Sequence, residues 1–198
     1  MTEFIARHIP DNEGDRQAML EAVGVDSLDE LIKLSSNLDI SKFKTEKRKK
    51  EFLSIRLLLN ELLPNIPIFY NTYGSPEIEN DNFISISHSK NLVAIIISKK
   101  KVGLDIEQIS KKLLRLSSKF ILAGHHSPLS EETTTLIWCC KEAIFKWHQK
   151  GNIDFIADIK IKSCIIKDEG QLIAEFKRQK LTLHYKKIDA HFLVYVCK

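Results

Sequence analysis

The stretch from Leu92 to Gln108, LVAIIISKKKVGLDIEQ, constrains the fold more than any other part of the chain. Leu92 to Ile97 is an unbroken apolar run and reads as a strand, and the lysines at 99–101 make a turn. Beyond them the pattern alternates. Val102, Leu104 and Ile106 leave one face of a second strand as core, while Gly103, Asp105 and Glu107 leave the other. The two strands are expected to pair as a hairpin. Asp105 and Glu107 then project from one face about 7 Å apart along the backbone. Gly103 keeps that face open to close approach. Two carboxylates side by side in a gap invite a divalent cation. A strand whose outer face is merely solvated has the same pattern, so the rest of the chain must decide.

Helical spacing runs from Ser41 to Leu63, through Phe52, Ile55, Leu59 and Leu62, and stops at Pro64. Lys42 to Lys50 is crowded with lysine and arginine. A loop containing YGSP, Tyr73 to Pro76, leads into the strand-like FISISHS, Phe83 to Ser89. Residues 110–123 read as helix, and GHHSPLSEE reads as a loop ending in a helix cap. A second strong helix is expected from about Glu132 to Gln149, ending at Gly151. Four later segments, IADIKIKSCIIKD, QLIAEFKRQ, KLTLHYKKI and HFLVYVC, alternate with period two and predict an antiparallel sheet. Helix, strands, helix, strands is an α+β order that reads as two similar lobes.

On the second helix Ile137, Cys140, Ile144 and Trp147 share one face, the stripe that packs into a core. Trp138, Glu142 and Phe145 cluster nearly opposite, with Lys146 one turn beyond Glu142. Apolar residues on two sides predict a helix sandwiched between the lobes. Glu142 is then a partly buried carboxylate, costly unless it meets a cation. A plain i, i+4 salt bridge with Lys146 is the simpler alternative, contributing ~0.2–0.5 kcal/mol on an exposed helix. Three carboxylates converging from a strand and a helix suit Mg²⁺, which keeps waters and binds substrate phosphates. Arg48 and Arg56 on the first helix are candidate phosphate contacts, although a basic helix face is more often simply solvated. His88 shares the face of Ile84 and Ile86, where a core histidine is common, but it stands at the strand's end, where its ring can meet an anion.

Bulk properties narrow the classes. The 198 residues carry 43% apolar and 28% charged side chains and a net charge of +4, ordinary for a globular protein. Cys139, Cys140, Cys164 and Cys197 show no C-x-x-C spacing and are expected as reduced thiols. The longest apolar run is too short to span a bilayer, and no secretory signal opens the chain, so a cytoplasmic protein is expected. A nucleic-acid module built on the lysine cluster is disfavoured, because helix-turn-helix, zinc spacing and an aromatic platform are all missing.

Four motifs in this order resemble the 4′-phosphopantetheinyl transferases, specifically the longer, surfactin-synthetase-activating type. YGSP stands for the family's glycine-x-proline turn and FISISHS for its F-x-x-S-H-S strand. GLDIE matches G-x-D-x-E, and WCCKEAIFK matches W-x-x-K-E-A-x-x-K. The resemblance covers roughly residues 30–198. It implies two α+β lobes related by a pseudo-twofold, with domains at 31–102 and 103–198, antiparallel sheets, and coenzyme A in the cleft between them. It implies Mg²⁺, or Mn²⁺ in its place, held by Asp105, Glu107 and Glu142. The implied activity is that of a holo-[acyl-carrier-protein] synthase. It moves the 4′-phosphopantetheine arm of coenzyme A to a serine of an apo acyl or peptidyl carrier protein and releases adenosine 3′,5′-bisphosphate. Glu142, Lys146 and Asp105 are the implied catalytic residues. Arg48, Arg56, Ser87, His88, Lys141 and Lys146 are the implied contacts to coenzyme A. A monomer that binds neither nucleic acid nor membrane is expected.

Two features depart from the pattern. Ser75 stands where the family commonly has lysine. Residues 1–30 form an atypical segment that resembles the start of the glycine-cleavage P-protein, a pyridoxal-phosphate enzyme whose cofactor site cannot fit in thirty residues. The first strand of the N-terminal lobe is not recognisable there, and GVDSL at Gly24 to Leu28 echoes a carrier-protein serine motif by chance. These departures suggest an alternative, a catalytically weak relative that binds coenzyme A or a carrier protein without efficient transfer.

Overall fold

The computed structural model describes residues 3–8 (as backbone), 43–79, 81–90, 92–162 and 165–198. In chain order the elements are β1 (Glu3–His8), α1 (Glu46–Leu62), β2 (Ile68–Tyr70), β3 (Pro76–Ile78), β4 (Phe83–Ser89), β5 (Leu92–Ser98) and β6 (Val102–Gln108). Then follow α2 (Lys111–Leu116), a 3₁₀ turn at Ser117–Lys119, α3 (Glu131–His148), β7 (Ile159–Ile161), β8 (Glu169–Phe176), β9 (Gln179–Ile188) and β10 (His191–Cys197). The class is α+β, as the sequence implies. The antiparallel sheets run β1-β5-β4 and β6-β10-β9-β8-β7, and β2-β3 is a separate hairpin.

Every residue of β5 is buried, and the packing explains its unbroken apolar run. Val93, Ile95 and Ile97 meet Ile55, Leu58 and Leu59 of α1. Leu92, Ala94 and Ile96 meet Val102, Leu104 and Ile106 of β6 and Leu193 of β10. A strand covered on both faces has no polar side to alternate with. Beyond the large sheet, α3 lays Ile137, Cys140, Ile144 and Trp147 on Leu183, Phe192, Val194 and their neighbours. The layers are therefore α1, small sheet, large sheet, α3.

Two expectations are corrected. β5 and β6 do not form a hairpin: β5 lies between β1 and β4, and β6 pairs with β10. Both edges of β5 are taken, so the lysine turn carries the chain from one sheet into the next. The first strand of the N-terminal lobe does exist. Glu3–His8 pairs antiparallel with β5, from Glu3 opposite Ile97 to His8 opposite Leu92. Its sequence, EFIARH, has consecutive apolar residues instead of alternation, which hid it. The GVDSL echo and the rest of the atypical segment lie outside the described residues.

Other boundaries move modestly. Helix α1 starts after Thr45, whose hydroxyl accepts from the Arg48 N–H. Only Lys111–Leu116 and one 3₁₀ turn form within 110–123. Helix α3 is capped by Ser130 and ends at Gln149, in the left-handed region at φ 60°. Of the four period-two segments the first yields only the three-residue β7. Among the described residues Cys139, Cys140 and Cys197 form no disulfide.

The two sheets meet along β4 and β6 without a backbone ladder. Ser85, Ser87 and Ser89 alternate toward β6, and their hydroxyls accept the N–H groups of Leu104 (2.9 Å), Ile106 (3.2 Å) and Gln108 (3.0 Å). Buried strand N–H groups require partners, and side chains supply them here. On the opposite face of β6, helix α3 closes over Gly103. A Cβ there would stand 2.0 Å from the Ala143 carbonyl oxygen and 2.4 Å from the Trp147 nitrogen. The space that Gly103 leaves is thus filled by the protein's own helix. Gly103→Ala should destabilise the fold by roughly 1–3 kcal/mol or more, read as a lowered urea midpoint. An unchanged midpoint would contradict this packing.

Candidate active site

Asp105 is carried by β6 beneath α3 and is 3% exposed. Its Oδ1 accepts from the Ser87 hydroxyl at 2.7 Å and from the Lys146 ammonium at 2.8 Å. Lys146 also donates to Ser87 Oγ at 2.8 Å. An ammonium has three N–H donors, so one remains for the cleft that Lys146 lines. Lys146 therefore pairs with Asp105 of its own lobe, not with Glu142 one turn away, and meets the other lobe through Ser87. Glu107 accepts from Trp138 Nε1 at 3.3 Å and from Ser89 at 3.4 Å. Trp138 is held in turn against Phe120 and Phe155, with centroids 5.0 and 5.5 Å away. Helix α3 packs its Trp138 side into the C-terminal core and leaves Phe145 39% exposed at the cleft. The helix is not sandwiched between lobes as expected.

The cleft has a volume of about 550 Å³ and runs from Lys146 and Phe145 to Arg48, Glu51 and His88. One wall is Phe43, Phe52, Tyr70 and Tyr73, and the turn Gly74-Ser75-Pro76 forms part of the rim. Gly74 has φ +77°, which suits a residue without a Cβ. Asn71 Oδ1 holds this turn by accepting the N–H groups of Tyr73 and Ser75. His88 emerges on the α1 side, where Arg48 Nη1 lies 3.1 Å from its Nε2. Burial holds its imidazole below the usual pKa, against the opposing effect of Glu51.

Three expected ligand contacts face elsewhere. Ser87 is buried and spends its hydroxyl on Asp105, Lys146 and the Ile106 N–H, so it positions the site. Lys141 is 4% exposed and donates to the carbonyls of Phe155 and Ile159 on the other side of α3. Burial lowers its pKa to about 8. Arg56 stacks on Phe52, 4.1 Å from the ring centroid, behind the cleft wall. Successive helix positions point about 100° apart, which turns Lys141 away from Glu142, and Arg56 is 80° round from Arg48 by the same spacing. Sequence reasoning missed Glu51, which sits among lysines three residues after Arg48.

The carboxylates fit a hard cation in donor type. Asp105 Oδ2 is buried without a hydrogen-bond partner among the described residues. Burial first, then the Asp105 charge, raises both Glu107 and Glu142, Glu142 to about 7. Such mutual repulsion is what a dication relieves. Among the described residues no group of three His, Cys, Asp or Glu side chains is drawn together as a closed metal cage. Mg²⁺ needs none, since it takes one or two carboxylates and completes its shell with water and phosphate.

The raised Glu142 has a consequence for stability. Between about 4.5 and about 7 the folded carboxyl keeps a proton that the unfolded chain gives up. Metal-free protein therefore loses stability as pH rises through this window and levels off above it. Glu142→Gln should remove that slope and be the more stable form at pH 8, by roughly 1–3 kcal/mol. Urea unfolding at several pH values checks this, and parallel curves for the two proteins would refute it.

Residues 101–197 match the 4′-phosphopantetheinyl transferase superfamily. That span runs from the lysine turn through β6, α3 and β10, and includes Asp105, Glu107, Glu142 and Lys146. The chain is also 32% identical over 110 residues to the 4′-phosphopantetheinyl transferase gsp of Aneurinibacillus migulanus, covering 50% of this chain and 46% of that protein. The match spans about half the length of this curated relative. Both likenesses agree with the motifs that carry the carboxylates, and residues 101–197 are similar to the 4′-phosphopantetheinyl transferase superfamily.

Proposed function

We propose that this chain transfers the 4′-phosphopantetheine arm of coenzyme A to a serine hydroxyl of an apo acyl or peptidyl carrier protein and releases adenosine 3′,5′-bisphosphate. One observation carries the reading. A single cleft has Lys146, paired with Asp105, at one end and the Arg48 guanidinium with the His88 imidazole at the other. Coenzyme A has a diphosphate and a separate 3′-phosphate, and needs cations at both.

In this reading Asp105, Glu107 and Glu142 are the carboxylates from which Mg²⁺ would take one or two ligands, with water and phosphate completing its shell, and it would supply Lewis-acid charge to the diphosphate. Lys146 offers its remaining N–H to the transferring phosphate and neutralises charge developing there. Ser87 fixes Lys146 and Asp105 in mutual register. Glu142 accepts the proton of the attacking serine, directly or through one water. Without metal its pKa is raised to about 7, first by burial; a bound dication would favour the ionised form that can accept a proton. Arg48 and His88 hold the 3′-phosphate. The aromatic wall and the turn at Ser75 flank the space between. Ser75 supplies no cation at the rim, and this favours the second reading, a protein that binds coenzyme A and transfers slowly.

Incubation with coenzyme A, Mg²⁺ and a panel of apo carrier proteins, followed by mass measurement of the carriers, separates the two readings. Transfer appears as a carrier heavier by one phosphopantetheine group. Asp105→Ala should abolish it while melting cooperatively near the wild-type temperature. Glu142→Gln should slow it by at least ~10². Wild-type turnover by either variant in the same buffer would remove that residue from the mechanism.

Arg48→Ala or His88→Ala should weaken coenzyme A binding while leaving 3′-dephospho-coenzyme A little changed. Each charge-assisted contact contributes roughly 1.5–3 kcal/mol. An equal loss for both ligands would return these residues to a structural role.

A further inference from the structure

Glu51 is 4% exposed, although it belongs to a helix face crowded with lysines. Its Oε2 accepts from Arg48 Nη1 at 3.0 Å. Its Oε1 stands 3.5 Å from His88 Nδ1 and 3.8 Å from Lys47 Nζ. Arg48 donates to His88 Nε2, because a guanidinium has no acceptor. The neutral ring therefore carries its proton on Nδ1, facing Glu51. A carboxylate behind an imidazole fixes its tautomer and stabilises the imidazolium.

We infer that Glu51 is a positioning residue for the anion end of the cleft. It holds Arg48 and the Nδ1 side of His88, and it backs His88 when Nε2 takes up a solvent proton to donate to a terminal phosphate. The inference rests on the coenzyme A reading above and identifies what arms its 3′-phosphate contact. Arg48 leaves Nε2 and turns to the same phosphate. The groups acting on His88 are Glu51, Arg48 and Lys47 from α1 and Lys146 from α3. Three cations and burial oppose protonation, so the ring is neutral in the unliganded cleft, and Glu51 is the one charge that favours the proton. An arriving phosphate dianion adds a second negative charge and tips the balance. A carboxylate that merely neutralised the lysines would repel every anionic ligand, and its removal would tighten binding.

Calorimetric titration of the full chain with coenzyme A and with 3′-dephospho-coenzyme A, from pH 7 to 9, tests this. The phosphate is a dianion throughout that range, since its second pKa is about 6. Titrations in two buffers of different ionisation enthalpy read the proton uptake. Wild-type protein should bind coenzyme A with uptake of a proton, bind the dephospho form without it, and lose its preference for coenzyme A as pH rises. Glu51→Gln should weaken coenzyme A binding at pH 7 by at least about tenfold, leave the dephospho form within about twofold, and flatten the pH dependence. Equal losses for both ligands, an unchanged preference, or tighter coenzyme A binding would overturn the inference alone. If the variant does not fold, a wild-type preference that stays flat from pH 7 to 9, without proton uptake, overturns it. Wild-type protein that binds neither ligand overturns the coenzyme A reading and this inference with it.

Discussion

The seam between β4 and β6 is the contact on which the rest of the site depends. Three serine hydroxyls accept the N–H groups of a strand edge, where another strand would ordinarily lie. A backbone ladder would bring the strands to about 4.8 Å and leave no side chain between them. Serine side chains add their own length, and the middle hydroxyl is then free to do a second job. Ser87 donates to Asp105 while accepting from Ile106 and Lys146. One hydroxyl therefore joins the two sheets and sets the geometry of an ion pair.

That ion pair lies in a setting where charge is expensive. Asp105 is almost fully buried, and an unpaired carboxylate there would be strongly disfavoured. Lys146 compensates one oxygen and leaves the other without a partner. Burial first, and then the Asp105 charge, raises the pKa values of Glu107 and Glu142. The cluster sets three carboxyl groups against one lysine. At the opposite end of the cleft the sign reverses: the cations Arg48 and Lys47, with the neutral His88 ring, surround a single carboxylate, Glu51.

Much of this was legible in the chain, for identifiable reasons. The alternation of Val102 to Glu107 places Asp105 and Glu107 on one face whatever the surrounding topology, and the heptad-like stripe on α3 fixes which side is core. Partner choice was not legible. The apolar run of β5 suits a hairpin partner on β6 as well as the β1 and β4 partners it has. FISISHS shows that serines alternate with isoleucines but not that the serines bond to another sheet. EFIARH carries too weak a pattern for a strand. Lys141 was assigned by motif and Arg56 by its place on the basic first helix, and only packing shows that an ammonium turns to the Phe155 and Ile159 carbonyls and a guanidinium to a phenyl ring. Glu51 was invisible because its neighbours on the helix are lysines and its partner His88 is remote in the sequence.

The position of β10 sets the order in which the molecule can be completed during synthesis. β10 is the last strand of the chain, yet it lies between β6 and β9 and contributes Leu193 to the layer that covers β5. The strand carrying Asp105 and Glu107 therefore has no sheet neighbour until nearly ninety later residues have left the ribosome, because β10 pairs Phe192 with Glu107 and Val194 with Asp105. Such non-local pairing slows folding. Until then the apolar face of β6 and one face of β5 have only each other for cover. A nascent chain halted before His191 would present an open β6 edge and an incomplete core, the kind of species that chaperones retain.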